Sequence, residues 1–353
     1  MFLHYTRRRF QAPAQARILH AIHPPAAPHL GLAQFSPPVR RDPFPRWKFS
    51  VLASRLLAAT LILTPLLALV AADYWLSGSR PGIWLLPVLL LVSLAAAHEL
   101  ADLLSAGGPR VAPWVVLCGV AGVLAAACFP ILWGDYPADC LLGRLGWPLA
   151  ALVIALFAVF AVEMRRYESP GEAVPRIAAT FFAIAYIALP MAFFPSLRAF
   201  HGNNWGMAAC VSVILIAKTA DTGAYIAGKN FGRRKMAPRL SPGKTWEGAA
   251  GGMLAAVLVS WAYFALLVPW WTGTEPIAGL WWRAPLYGLL LGAAGMLGDL
   301  GESLLKRDRN RKDSSHWLPG LGGVLDMLDS LLPAVPLAYL CWVGGLLGPA
   351  AAG

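Results

Sequence analysis

Acidic side chains lie beside lysine and arginine in two stretches of the C-terminal half, and this combination indicates phosphate chemistry. In the later stretch, Asp299, Ser303 and Lys306 fall at i, i+4 and i+7, so they share one face of a helix. Asp326 and Asp329 are three residues apart and share a face of the following helix. Proline and glycine between the two helices break the chain and allow the two acidic faces to converge.

Converging carboxylates next to a basic loop predict a Mg²⁺ site for a phosphate substrate. Magnesium prefers oxygen ligands and usually keeps several waters and substrate phosphate oxygens. The metal and the bases would neutralise charge on a transferring phosphoryl group and on its leaving group. His316 in the same loop is a lone histidine, and an interfacial hydrogen-bonding role fits it better than a catalytic one.

The earlier stretch begins with Lys218 and Asp221, which share a helix face, and continues into the sequence Ser-Pro-Gly-Lys-Thr at 241–245. The Gly-Lys-Thr does not belong to a P-loop, because Pro238 occupies the position where that motif needs glycine. Ser241 and Lys244 are predicted to donate to phosphate oxygens. Two alternatives stay open: a self-neutralising Lys218–Asp221 pair, and basic residues that only set membrane topology.

These residues must be positioned by membrane helices. The chain has 353 residues, of which 58% are hydrophobic and 13% charged, whereas soluble proteins carry about 25% charged residues. A spanning helix needs roughly 20 mostly apolar residues. The predicted fold is an all-α polytopic membrane protein with about nine transmembrane helices, near 52–72, 83–97, 111–133, 146–163, 177–197, 205–227, 249–270, 277–297 and 330–348.

The loops between these spans alternate in basic residues. Loops 164–176, 228–248 and 298–316 are rich in lysine and arginine, and the loops 73–82, 134–145 and 271–276 are poor in them. Loop 98–110 fits the alternation only weakly. Because cytoplasmic loops are enriched in basic residues, we expect a cytoplasmic N-terminus and both chemistry-bearing stretches on the cytoplasmic side.

The formal net charge is +11, and residues 1–50 hold many of the bases. We expect this segment to be a disordered basic tail on the inner membrane surface; an organelle transit peptide or a start codon placed too far upstream would look the same. The bases do not form a stripe with aromatic residues, so we expect no nucleic-acid partner. The five cysteines show no metal spacing, so neither a zinc site nor a disulfide framework is expected.

The two stretches together resemble the phosphatidate cytidylyltransferase family. Its signature is similar to Ser-x-x-Lys-Arg, four residues, Lys-Asp, then Pro-Gly-His-Gly-Gly, an apolar pair, Asp-Arg, an apolar residue and Asp. The matching residues are Ser303, Lys306, Arg307, Lys312, Asp313, Pro319, Gly320, Gly322, Gly323, Asp326 and Asp329. The resemblance covers roughly 215–336. It implies N-terminal transmembrane helices over 51–170 and a catalytic transmembrane domain over 171–353.

Two positions depart from the signature. The usual histidine is Leu321, and the usual arginine after the acid is Met327. The family includes variants with apolar residues at these places, so we expect activity to be kept. Arg307, Lys312 and His316 are the candidates to compensate.

The resemblance implies the reaction of CTP with phosphatidic acid to give CDP-diacylglycerol and pyrophosphate. It also implies an integral protein of the bacterial inner membrane. It implies Asp299 and Asp326 as the leading Mg²⁺ ligands, with Asp313 as a third, and leaves a second cation open. It implies phosphate contacts from Lys244, Lys306, Arg307 and Lys312, support from Ser303, and a nucleotide side lined by Asp221 and Ser241.

Two other functions compete with this interpretation. A CTP-dependent kinase of a lipid alcohol would have a similar size and span count. A transporter or scaffold that has lost catalysis would use the intramembrane acids as an ion path. The sequence leaves open whether the chain forms a homodimer.

Overall fold

The computed structural model describes residues 64–65, 67–78, 80–133, 136–137, 139–273, 277–312, 314–315 and 322–348. They belong to one compact unit, Phe49–Gly353. The predicted basic tail, residues 1–50, lies outside the described residues, and so do Asp313 and His316.

The described chain is almost entirely helical. The helices are α1 (Leu67–Leu76), α2 (Leu86–Ser105), α3 (Pro113–Leu132), α4 (Gly143–Arg165), α5 (Ala173–Met191), α6 (Phe193–Arg198), α7 (Gly202–Phe231), α8 (Trp246–Ala262), α9 (Val268–Thr272), α10 (Leu280–Asp308), α11 (Val324–Leu328) and α12 (Leu331–Val343). A π-helical turn, Tyr263–Leu267, joins α8 to α9. A lipid environment favours such a fold because every backbone group is satisfied within its own segment.

Eight segments among the described residues are long and apolar enough to cross a membrane. They are α2, α3, α4, α5 with α6, α7, α8 with α9, α10, and α11 with α12. The all-α polytopic prediction is therefore confirmed, and each of these segments matches one predicted span. The remaining predicted span, 52–72, lies mainly outside the described residues.

Small residues let α7, α8 and α10 pack closely. A Cβ atom on Gly251 of α8 would overlap the Cβ of Ala227 on α7. A Cβ on Gly288 of α10 would lie 2.5 Å from the carbonyl oxygen of Ala256 on α8. Close backbone approach of this kind is how membrane helices gain van der Waals contact without a hydrophobic driving force.

A short β-hairpin follows α7 and lies within the predicted inter-span loop over 228–248. The sequence did not predict the hairpin. Helix α7 continues to Phe231, and strands β1 (Lys235–Ala237) and β2 (Ser241–Thr245) then pair antiparallel. The hydroxyl of Thr245 accepts a hydrogen bond from the Gly248 amide and caps α8. The Glu247 carboxylate accepts the Arg233 and Arg234 amides, which ties the hairpin to the start of α8.

Helix α10 packs against the junction of α11 and α12. A Cβ on Gly298 would overlap the carbonyl oxygen of Asp329, so only glycine permits this approach. The contact places the acidic ends of the two elements side by side. It is the feature of the fold on which the site most depends.

A buried ion pair closes the bundle where α7 begins. The guanidinium of Arg198 donates to the Asp73 carboxylate over 2.7 Å, and both side chains are almost fully buried. Asp73 also accepts the amides of Gly82 and Trp84, and Arg198 also donates to Asn203. These hydrogen bonds satisfy both charges, as burial of an ion pair requires.

The packing of α8 on α7 can be tested with a matched pair of glycine substitutions. Gly251→Ala should lower the free energy of unfolding by about 1–3 kcal/mol, because the new methyl overlaps Ala227. Gly122→Ala in α3 is the control, since nothing lies within 4 Å of its Cβ position and alanine favours a helix. The melting temperature Tm of each variant in detergent is the measurement. Equal Tm values would contradict this account of the interface.

Candidate active site

A cavity of about 370 Å³ opens between α7, α8, α10 and the hairpin. Polar side chains from three of these elements line it: Asp221, Tyr225 and Lys229 of α7, Ser241 and Lys244 of β2, and Asp299 of α10. Glycines complete the walls, which leaves room for a ligand near the backbone. The cavity therefore combines acids, bases and hydroxyl groups within reach of one bound molecule.

The hairpin contributes the main ion pair of this cavity. The Lys244 amino group lies 2.6 Å from the Asp299 carboxylate, and both side chains are partly exposed to the cavity. The pair joins residues from segments that are 55 positions apart, so it depends on the hairpin folding back over α10. When a ligand separates such a pair, the ammonium group can bind an anion and the carboxylate can bind a cation.

A second ion pair lies on α7. The Lys218 amino group is 3.4 Å from the Asp221 carboxylate and donates to the Ser330 hydroxyl over 2.8 Å. That hydroxyl in turn donates to Asp221 over 3.0 Å. The self-neutralising pair considered from the sequence is therefore present, but a third residue from the α11–α12 junction joins it.

Lys306 is the centre of a neighbouring group, which we call the Lys306 group: Lys306, Glu302 and Asp326. Its amino group donates to Glu302 over 3.0 Å and to Asp326 over 2.7 Å. Glu302 is almost fully buried, whereas Lys306 and Asp326 keep a small exposed fraction. One lysine thus bridges two carboxylates from two different helices.

The Lys306 group and the acids next to it follow from the packing of α10 on the α11–α12 junction. Asp299 and Glu302 are three residues apart on one element, and Asp326 and Asp329 are three apart on the other. Glu302 and Asp326 meet at Lys306, and the backbone of Asp329 lies against Gly298, the residue before Asp299. The contact therefore brings the acidic ends of the two elements together.

Comparisons with known proteins identify the family of this chain. The model of the cytidylyltransferase family matches residues 54–343. The chain belongs to the cytidylyltransferase family. The match covers the cavity, the Lys306 group and most of the helices that carry them.

Three bacterial relatives of this cytidylyltransferase-family chain are named phosphatidate cytidylyltransferase. The Mycobacterium bovis protein is 29% identical over 263 residues, which are 74% of this chain and 80% of that protein. The Haemophilus influenzae protein is 40% identical over 38% of this chain and 46% of its own length. The Pseudomonas aeruginosa protein is 44% identical over 42% of this chain and 53% of its own length. The chain thus matches about half the length of these last two relatives.

The site residues predicted from the sequence lie partly in the cavity and partly in the Lys306 group. Asp221, Ser241, Lys244 and Asp299 line one cavity. The sequence predicted that Asp299 and Asp326 converge on one ion, but the structure places Asp326 in the Lys306 group beside the cavity.

The other nominated residues take different positions. Lys306 is bound to two carboxylates, and Ser303 is buried within α10. Arg307 donates to the Leu240 carbonyl over 3.1 Å and thereby links α10 to the hairpin. Lys312 is exposed, and Asp313 and Leu321 lie outside the described residues.

Sequence reasoning missed several residues that the structure brings to the site. Glu302 belongs to the Lys306 group, and Ser330 joins the Lys218–Asp221 pair. Glu99 of α2 reaches the same region from the N-terminal half. The available signal was the position of Glu99 and Glu302 inside apolar helices, where a charge is expensive and therefore informative. Ser330 had no comparable signal, because an isolated serine at a helix start is common.

The fit of a magnesium ion to this cytidylyltransferase site can be judged from the ligands present. Among the described residues, no group of three or more histidine, cysteine or acidic side chains is arranged to hold a metal. Magnesium is often bound through one or two carboxylates together with substrate phosphates. Asp221 and Asp299 line the same cavity and satisfy that requirement.

The bridging role of Lys306 gives a stability test. Lys306→Met leaves the buried Glu302 and the partly buried Asp326 without their shared cation, and removing one partner of a buried ion pair costs roughly 3–5 kcal/mol. The double variant Lys306→Met/Glu302→Gln should recover part of this loss, because one acid is then neutral. The exposed Lys312→Met is the control. The Tm of each variant in detergent is the measurement. A double variant no more stable than Lys306→Met would refute the bridging of Glu302 and Asp326 by Lys306.

Proposed function

We propose that this protein is a phosphatidate cytidylyltransferase of the bacterial inner membrane. It joins CTP to phosphatidic acid and releases pyrophosphate. The observation that carries this proposal is the cavity where Lys244 of the hairpin meets Asp299 of a spanning helix. The names of the bacterial relatives support the choice of substrates.

The reaction is a nucleotidyl transfer that needs no covalent enzyme intermediate. A phosphate oxygen of phosphatidic acid forms a bond to the α-phosphorus of CTP. The bond from that phosphorus to the oxygen bridging the α- and β-phosphates breaks, and pyrophosphate leaves with the electron pair. The protein contributes positioning and charge stabilisation, which dominate phosphoryl-type transfers.

The residues of the cavity divide these tasks. Lys244 holds the triphosphate by charge, and the Ser241 hydroxyl donates to a phosphate oxygen. Lys218 and Ser330 hold the Asp221 carboxylate in a fixed orientation on the nucleotide side. The Lys306 group keeps the two helices together beside the cavity, so that Asp299 stays opposite the hairpin.

The same proposal includes Mg²⁺, held by Asp299 and Asp221. The ion would offset negative charge on the triphosphate during transfer. Asp326 was the second ligand expected from the sequence, but its two oxygens already accept hydrogen bonds from Lys306 and from the Gly323 amide. Asp221 and Asp299 are also paired with lysines, but unlike Asp326 they line the cavity, so we propose Asp221 as the partner of Asp299. Asp326 and Asp313 stay predictions.

The membrane setting explains how a lipid and a nucleotide meet. The hairpin region is basic and largely exposed, with Lys229, Arg233, Arg234, Lys235 and Arg239. Basic residues at a membrane surface attract anionic head groups and polyphosphates. We place this end of the bundle and the N-terminus on the cytoplasmic side, with the acyl chains of phosphatidic acid between the spanning helices. This setting requires no nucleic acid.

The position of radiolabel in the lipid tests the reaction directly. Purified protein with Mg²⁺ and phosphatidic acid should transfer label from α-labelled CTP into lipid and release unlabelled pyrophosphate. Label from γ-labelled CTP should leave with pyrophosphate instead. Lipid labelled from the γ-position would identify a kinase, and no transfer from either position would fit an inactive scaffold.

Asp299 and Lys244 make separable contributions under this proposal. Asp299→Asn should lower kcat/KM by roughly 100-fold or more, as expected when one charge-stabilising group is lost. Lys244→Ala should raise the KM for CTP more than the KM for phosphatidic acid. Rates measured over a series of Mg²⁺ and CTP concentrations separate these effects.

Asp308→Asn serves as the control for Asp299→Asn, because Asp308 lies on the same helix and is 67% exposed. It should keep the parent rate. Near-normal turnover in Asp299→Asn, or unchanged CTP affinity in Lys244→Ala, would refute the assignment of that residue.

A further inference from the structure

Glu99 of α2 is a buried acid that contacts the signature region from the other half of the chain. It lies on a spanning helix and is only 1% exposed. Its carboxylate accepts hydrogen bonds from the hydroxyls of Ser314 and Ser315 and from the amides of Val324 and Leu325. The sequence separation is 215–226 residues, so this contact joins parts of the chain that no local motif connects.

The geometry uses both carboxylate oxygens. Oε1 accepts from the Ser315 hydroxyl at 2.5 Å and from the Val324 amide at 3.0 Å. Oε2 accepts from the Leu325 amide at 2.8 Å and lies 3.2 Å from the Ser314 hydroxyl. The single Ser314 proton is shared with Asp326, so three full hydrogen bonds and one shared one fix the orientation of the carboxylate. Hydrogen bonds to a carboxylate are among the stronger ones in proteins.

These contacts extend directly to Asp326. The Ser314 hydroxyl lies 2.9 Å from Asp326 Oδ2, so it bridges Asp326 and Glu99. The Gly323 amide donates to the same Asp326 oxygen over 2.7 Å. A Cβ on Gly323 would overlap both the Ser314 hydroxyl and the Glu99 carboxylate, which explains why this position of the signature is glycine. The Glu99 carboxylate thus occupies the space beside the signature backbone.

We infer that Glu99 is a positioning residue for the transfer reaction. It holds residues 314–315 and 323–325 against α2, and this fixes Asp326 in the orientation that binds Lys306. Glu99 does not line the cavity, so it acts through the Lys306 group. The inference rests on the proposed function for its catalytic consequence, but the structural contact can be measured without activity.

The hydrogen bonds around Glu99 require a carboxylate and cannot all be made by the amide of glutamine. Glu99→Gln keeps the size of the side chain but replaces one acceptor oxygen with an NH₂ group. In either orientation that group would face a backbone N–H that can only donate, Val324 at one oxygen position or Leu325 at the other, and would leave that amide without its acceptor. The amide variant should therefore fail almost as fully as Glu99→Ala, although it fills the same space.

Two measurements test this inference on the full-length protein in detergent. Steady-state kinetics of Glu99→Gln should show kcat per folded molecule reduced roughly 10- to 100-fold, with a smaller change in the KM for CTP. Hydrogen–deuterium exchange should show faster exchange in the peptides that contain Val324 and Leu325. Asp102→Asn, one turn along α2 and 53% exposed, is the matched control and should change neither measurement.

A milder variant keeps the test decisive if Glu99→Gln does not fold. Ser315→Ala removes one of the four donors and should speed exchange at Val324 and Leu325 to a smaller extent. Unchanged exchange in every variant would overturn the inference, and so would a lower Tm with normal kcat per folded molecule. If the parent protein transfers no cytidylyl group, the proposed function fails, while the exchange result still decides whether Glu99 holds this segment.

Discussion

The site depends on lysines that are paired with the carboxylates of packed helices. Helix α10 and the α11–α12 junction approach closely at Gly298, which brings their acids together. Lys306 lies between Glu302 and Asp326, and two further lysines pair with Asp221 and Asp299. Without these positive charges the clustered carboxylates would repel one another. The positive charges therefore stabilise the packing as well as the future ligand site.

This constraint explains the division of the chain into parts. The small residues of α7, α8 and α10 bring the backbones close, and the hairpin carries Lys244 back over α10 to meet Asp299. The N-terminal half closes the arrangement from the opposite side through Glu99. The cavity itself is lined by two stretches of the chain, residues 220–252 and residues 292–299.

Hydropathy predicted the fold well because a membrane span is a long, local signal. Eight predicted spans correspond to helices of the described chain, and the predicted Lys218–Asp221 pair is present. The predicted face of Asp299, Ser303 and Lys306 is divided, because Asp299 pairs with Lys244 whereas Lys306 binds Glu302 and Asp326. The membership of Asp299 and Asp326 in neighbouring groups could not be predicted, because it depends on which residues of two helices meet.

Contacts between distant parts of the chain could not be predicted from the sequence either. Neither the hairpin pairing of β1 with β2 nor the contact of Glu99 with residues 314–325 has a local signature. An isolated acid in an apolar helix indicates that a partner exists, yet it does not say which element supplies that partner. The hairpin inside the predicted loop over 228–248 was missed for a related reason, since a three-residue strand is too short to give a reliable alternation.

The two ends of α7 differ in how their charges are placed. Where the helix begins, Arg198 and Asp73 form a fully enclosed ion pair with every hydrogen bond satisfied. At about 1.5 Å per residue, the 30-residue helix reaches about 45 Å to its other end, where the basic side chains of the hairpin are open to solvent. The first end therefore carries its charges neutralised inside the bundle, whereas the second end presents Lys229 and the exposed hairpin bases as net positive charge at the mouth of the cavity.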